Sequence, residues 1–148
     1  MRRIPYFLLL APVLLSPAAW AAGQATPDEA KAMAIKAAEY LKTVGPDKAF
    51  PDFDAKDGQW HDRDLYVAVL DANGMMMANG NNGGLIGKSV IQLKDVDGKP
   101  FVRDLIATKE AGWVAFKWQN PVSKAVEAKT QYEIKVGDYF VGVGAFTK

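Results

Sequence analysis

Three strand-like runs close the chain, and they restrict its fold more than anything before them. They are GWVAFKW (residues 112–118), AKTQYEIKV (128–136) and YFVGVGAF (139–146). Runs rich in Val, Phe, Tyr and Trp argue for strands, most clearly where apolar and polar residues alternate. The turn-bearing connections between them are too short for a crossover, so consecutive strands must run antiparallel. The C-terminal third is therefore a three-stranded meander that needs another element to cover its apolar face.

The N-terminal part supplies that cover. In Thr26-Pro27-Asp28-Glu29, Thr26 can cap a helix, Pro27 fits its first position and Glu29 completes a capping box. Ala30, Met33, Ala34, Ala37, Leu41 and Val44 then recur at helical spacing. Gly45-Pro46 stops the helix. Residues 46–53 form a short helical turn or loop whose Phe50 and Phe53 plug the core. LYVAVL (65–70) is a strand, Asp71-Ala72-Asn73-Gly74 a turn and MMMAN (75–79) the returning strand. Adjacent methionines in a strand face alternate sides and cannot converge on a soft metal, so they are core residues. A short helix over 100–108, with Phe101, Leu105 and Ile106 inward, leads to the meander. The fold class is α+β, with a long helix, a two-strand hairpin, a helical crossover and three further strands.

The first 21 residues have another purpose. Arg2 and Arg3, an apolar run broken by Pro5 and Pro12, and Ala19 and Ala21 before the cut predict a signal peptide at 1–21. The apolar run is too short to span a hydrocarbon core of about 30 Å, although retention as an anchor is the competing reading. Cleavage leaves residues 22–148 as one domain, predicted to be periplasmic or secreted. Its charge is near zero, because removing Arg2 and Arg3 leaves 16 basic against 17 acidic residues. Nothing in that balance recruits nucleic acid. The chain has no cysteine, which removes disulfides, thiolate nucleophiles and thiolate metal sites.

Several local patterns imitate chemical sites. NGGLIGKS (82–89) lacks the first glycine of a phosphate-binding loop and has no long helix after it, so its glycines serve backbone geometry. Asp95-x-Asp97-Gly98 has two of the ligands of a calcium loop without the third or the downstream glutamate, and is a tight turn. His61 is the only histidine, expected in a surface loop. No metal, cofactor or catalytic residue is assigned. Hydrolysis dependent on His61 is the form an enzymatic reading would take.

Five segments in order then resemble a known family. LKTVGPDKAFPDF, DLYVAVLDANG, LIGKSVIQLKDVDGKPFVRDL, GWVAFKWQNPVSKAVEAK and VGVGAF resemble the standalone periplasmic members of the single Cache domains, type 2. The resemblance implies a PAS-like fold, with the long N-terminal helix packed on a five-stranded antiparallel sheet. It also implies a non-catalytic sensory module that binds small molecules, commonly short carboxylates such as acetate, propionate, pyruvate or lactate. Signalling would then pass through a membrane receptor or sensor kinase. A cell-envelope accessory protein that binds a partner and no ligand is the alternative.

The resemblance carries an aromatic-x-Trp-x-x-Pro segment onto Phe116, Trp118 and Pro121, and a Lys-x-x-Tyr pair onto Lys129 and Tyr132. The aromatics would wall a pocket, while Lys129 and Tyr132 would supply a cation and a hydroxyl for a carboxylate. Strand parity separates Lys129 from Tyr132, so Lys129 is expected to reach the pocket from a rim or across a bulge. Where the family often has Ala-His, this chain has Ala78-Asn79, which substitutes a neutral amide for a titratable ring.

Overall fold

Thr26 begins the first helix, as the sequence predicts. In the computed structural model, which describes residues 24–147, its hydroxyl accepts from Glu29 N at 3.2 Å and Glu29 Oε2 accepts from Thr26 N at 2.7 Å. This reciprocal box satisfies two otherwise unpaired amides of α1 (Pro27–Val44). Ala30, Ala34, Ala37, Ala38 and Leu41 are buried. Four of these five are alanines, which lets the helix axis approach the sheet closely. α2 (Pro46–Asp54) is a full nine-residue helix rather than a turn, and it tolerates Pro51. Phe53 is fully buried against Tyr40 and Trp60, while Phe50 is half-buried edge-on to Tyr139.

The strands are β1 (His61–Asp62), β2 (Leu65–Asp71), β3 (Met76–Asn79), β4 (Ala111–Gln119), β5 (Val126–Val136) and β6 (Tyr139–Thr147). The main sheet runs β3-β2-β6-β5-β4, antiparallel throughout, and β1 pairs with the first two residues of β2. The sixth strand is the one addition to the expected five. It places His61 opposite Tyr66 as a half-buried strand residue, which corrects its expected place in a loop. α3 (Phe101–Ile106) forms the crossover between β3 and β4.

The sheet divides the interior in two. Odd positions of β2 and β6 (Leu65, Val67, Val69, Val141, Val143 and Ala145) meet α1 and α2. The opposite face, with Leu70, Met76, Phe116 and Phe140, packs beneath Phe101, Val102 and Leu105 of α3. The methionines divide as alternation requires, Met76 on the α3 side and Met77 on the α1 side. Met75 departs from the core reading. It is exposed and bridges to Ser89 outside the strand.

The glycine-rich stretch is local scaffolding. Asn82 caps a 3-10 turn, Gly83–Leu85, by accepting from Gly84 N at 3.1 Å, and Gly87 has φ +79°. Asp95 closes the expected tight turn, with Oδ1 accepting from Asp97 N at 3.0 Å and Lys99 N at 2.9 Å. Its Oδ2 accepts from Lys117 N at 3.0 Å, which ties the crossover to the outer strand β4. The Lys117, Lys99 and Asp97 amides hold its carboxyl below the usual range.

Candidate functional site

The α3 side of the sheet encloses a cavity, and its polar wall comes from one strand. On β5, Lys129, Gln131 and Glu133 alternate with Thr130, Tyr132 and Ile134. The first three are all buried and all line the cavity, although two of them are charged residue types. Such groups are rarely buried without partners, so the geometry that admits them is informative.

Room for them is made on β6. Gly142 lies opposite Glu133 and Gly144 opposite Gln131. A methyl group at Gly142 would overlap the Glu133 carboxylate and the Gln131 amide. One at Gly144 would overlap the Lys129 chain, with Cγ and Cδ both at 3.1 Å. The two missing side chains form a trough in which the polar side chains lie across the neighbouring strand.

Lys129 ends in an aromatic cage. Its Nζ lies 4.4 Å from the Tyr66 ring centroid, 5.2 Å from Phe146 and 5.7 Å from Phe116, and donates to Tyr66 Oη at 3.0 Å. An ammonium has three donors, and a single hydroxyl acceptor is found for it among the described residues. No ion pair of the described residues includes it. Cation–π contacts offset part of the desolvation cost, but a buried ammonium without a counter-charge favours any anion that can reach it.

Glu133 is the second buried group. Its Oε2 accepts from Gln131 Nε2 at 2.8 Å, and Oε1 has no hydrogen-bond partner among the described residues. Burial pushes its pKa up to about 8, against smaller opposing effects of the Gln131 hydrogen bond and the Lys129 charge. At neutral pH it is mainly an uncharged carboxylic acid.

The inner chamber offers about 40 Å³ and shares Tyr66, Asn79, Leu85 and Trp118 with an outer recess of about 230 Å³. The chamber holds roughly three water-sized groups, enough for a ligand of a few heavy atoms or the head of a longer one. Phe101 stacks on Phe116 with centroids 4.4 Å apart and meets Trp118 at 5.1 Å, so α3 and β4 form an aromatic wall.

The residues singled out from the sequence separate by face. Phe116 pairs directly with Lys129 across β4 and β5, and Trp118 shares their side. Lys129 lies inside the chamber on a regular ladder, which corrects the expectation of a rim or bulge position. Tyr132 is corrected too. It faces α1, beside Trp113 and under Lys31, and the hydroxyl in the chamber belongs to Tyr66. Pro121 lies in the β4–β5 turn, outside the cavity lining. Asn79 lines both compartments. Its Oδ1 accepts from Asn81 N at 2.9 Å and Asn82 N at 2.8 Å, fixing the loop after β3. Among the described residues its Nδ2 has only the Met76 sulfur, at 3.8 Å, which leaves donor capacity for a ligand.

Tyr66, Gln131 and Glu133 were not anticipated. One signal for the last two was present, because Lys-x-Gln-x-Glu on one strand faces Gly-x-Gly on the next.

A model of the single Cache domain 2 family matches residues 17–148. The chain belongs to that family. The fold of this Cache domain is shared with sensor domains of chemotaxis proteins. A methyl-accepting chemotaxis protein from Vibrio parahaemolyticus superposes with TM-score 0.70 at 23% identity, covering 80% of this chain and 86% of that one. A Cache chemosensory domain described for carboxylic acid recognition gives TM-score 0.68 at 19% identity, with coverages of 82% and 92%. A periplasmic sensor domain of a chemotaxis protein gives 0.63 at 17%, with 82% and 90%. A sequence comparison with curated proteins finds no match.

Proposed function

We propose that this Cache domain is a non-catalytic sensor for a short monocarboxylate, whose carboxylate pairs with Lys129. The observation that carries the reading is the buried, caged ammonium with no counter-charge among the described residues, in a chamber sized for a few heavy atoms. A carboxylate would fill the open donors of Lys129 and hydrogen-bond Tyr66 and Asn79. Its short apolar part would lie against Phe116 and Trp118. Carboxylic acid recognition by a structurally similar Cache domain supports the same class. The domain is proposed to act after export, with residues 1–21 removed and residues 22–148 forming the mature unit. It would report occupancy through a membrane receptor or sensor kinase.

A thermal-shift series with acetate, propionate, pyruvate and lactate tests the ligand class and the site together. At least one acid is expected to raise Tm. Tyr66→Phe should reduce that rise, and Tyr132→Phe should leave it unchanged. The reverse pattern would remove the site from this face of the sheet, and no rise with any acid would favour the partner-binding alternative.

A further inference from the structure

The carboxylate reading leaves Glu133 without a role, although it is the most deeply enclosed group in the same chamber. It stands four residues beyond Lys129 on β5, about 13 Å along the strand, and the Gly142–Gly144 trough accommodates both side chains. Resting on that reading, we propose that Glu133 is the specificity-determining residue for ligand charge: it admits a monoanion at Lys129 only while it holds its own proton.

Charge balance in a desolvated space carries the inference. Among the described residues, Lys129 and Glu133 are the only side chains of charged type lining the chamber. The Gln131 amide on β5 and the backbone of Gly142 on β6 adjoin Glu133, and apolar Val102 and Leu105 of α3 line the same chamber. Tyr66 and Ala68 line the β2 side. Arg103 and Asp104 of α3 are exposed. Lys94, Asp95 and Lys117 line the outer recess, and Asp95, Asp97, Lys99 and Lys117 line a further, open recess on the other side of Phe116 and Lys129, away from Glu133. With Glu133 neutral, Lys129 and a bound carboxylate sum to zero. With Glu133 ionised, the acid itself neutralises the cation, and a second anion leaves a buried net negative charge. The neutral acid also carries a hydroxyl on Oε1, the oxygen without a partner, which can donate to an acceptor at the far end of the ligand. Dicarboxylates are disfavoured at either protonation state. A ligand with a cationic end would instead ionise Glu133 and bind more tightly as pH rises.

Calorimetric titration of acetate into the purified domain from pH 6 to pH 9 separates these cases. With a Glu133 pKa of about 8, affinity is expected to fall about tenfold between pH 7 and pH 9, with proton uptake at pH 8 when two buffers of different ionisation enthalpy are compared. Glu133→Gln should bind acetate with affinity independent of pH over that range. Wild-type affinity that is flat or rises with pH, or an equal fall in Glu133→Gln, would overturn the proposal. If the variant does not fold, the wild-type proton count decides alone, and zero uptake or release overturns it. If acetate does not bind at pH 6, whichever of propionate, pyruvate and lactate raises Tm most is titrated in its place; failure of all four at pH 6 would overturn the carboxylate reading and this one together, whereas pH-independent binding overturns this one only.

Discussion

Lys129 and Glu133 are costly residues for folding, and that cost is the reason to assign them to binding. Burial of Glu133 raises its pKa from 4.5 unfolded to about 8 folded, so between those values the folded state holds a proton that the unfolded state lacks. Its contribution is complete below pH 4.5 and is lost as pH rises to about 8, with a slope of about 1.4 kcal/mol per pH unit in mid-window. Glu133→Gln should therefore be progressively more stable relative to wild type from pH 5 to pH 8. Urea titrations at the two pH values measure this, and a constant difference would mean that the side chain is solvated. Tyr132 shows how residue-scale inference can fail. The three-residue spacing from Lys129 places it on the other face, a conflict that strand parity alone states. The chamber takes Lys129, although a lysine is ordinarily the solvated member of such a pair. Only the glycines opposite reverse that expectation.

The elements themselves were largely legible. α1 has a reciprocal cap and a helical apolar period, and β5 alternates, so local and tertiary preferences agree. Disagreements fall where local signals are weak. α2 carries an interior Pro51 and follows Gly45-Pro46, which disguised nine helical residues, and β1 is only two residues long. The same weakness hid the cavity, because a strand pattern gives parity without saying which face is the inner one. The β6 glycines are the exception, being sequence marks of a site. Gly144→Ala should overfill the trough at Lys129, cost about 1–3 kcal/mol and abolish ligand stabilisation. Denaturant midpoints with and without acetate separate the two effects. An alanine that leaves both unchanged would show that Lys129 does not lie across β6. Thr26→Ala, far from the cavity, should cost about 1 kcal/mol through the lost cap and leave ligand stabilisation intact.

At the scale of the whole molecule, the sheet works as a partition. One face builds the stable core with α1 and α2, and the other holds a small, mostly apolar chamber with one polar wall under a six-residue helix. Stability and the proposed recognition would thereby fall on different faces, and a ligand that bridges β2, β4 and β5 would tighten the less regular one. The signal peptide expected over residues 1–21 lies outside the described residues. Export with cleavage after Ala21 is expected to give a periplasmic or secreted product whose first residue is Ala22, which intact-mass measurement can verify. The central claim is that a buried, unpaired ammonium recognises a carboxylate, and Lys129→Met tests it most directly. Methionine keeps the length and removes the charge, so the fold should be retained or become more stable, as when a buried charge is replaced by an apolar side chain. Titration of acetate into wild type and Lys129→Met at pH 6 should give saturable binding to the first and none to the second. Equal binding to both, in a variant that melts no lower than wild type, would contradict the assignment.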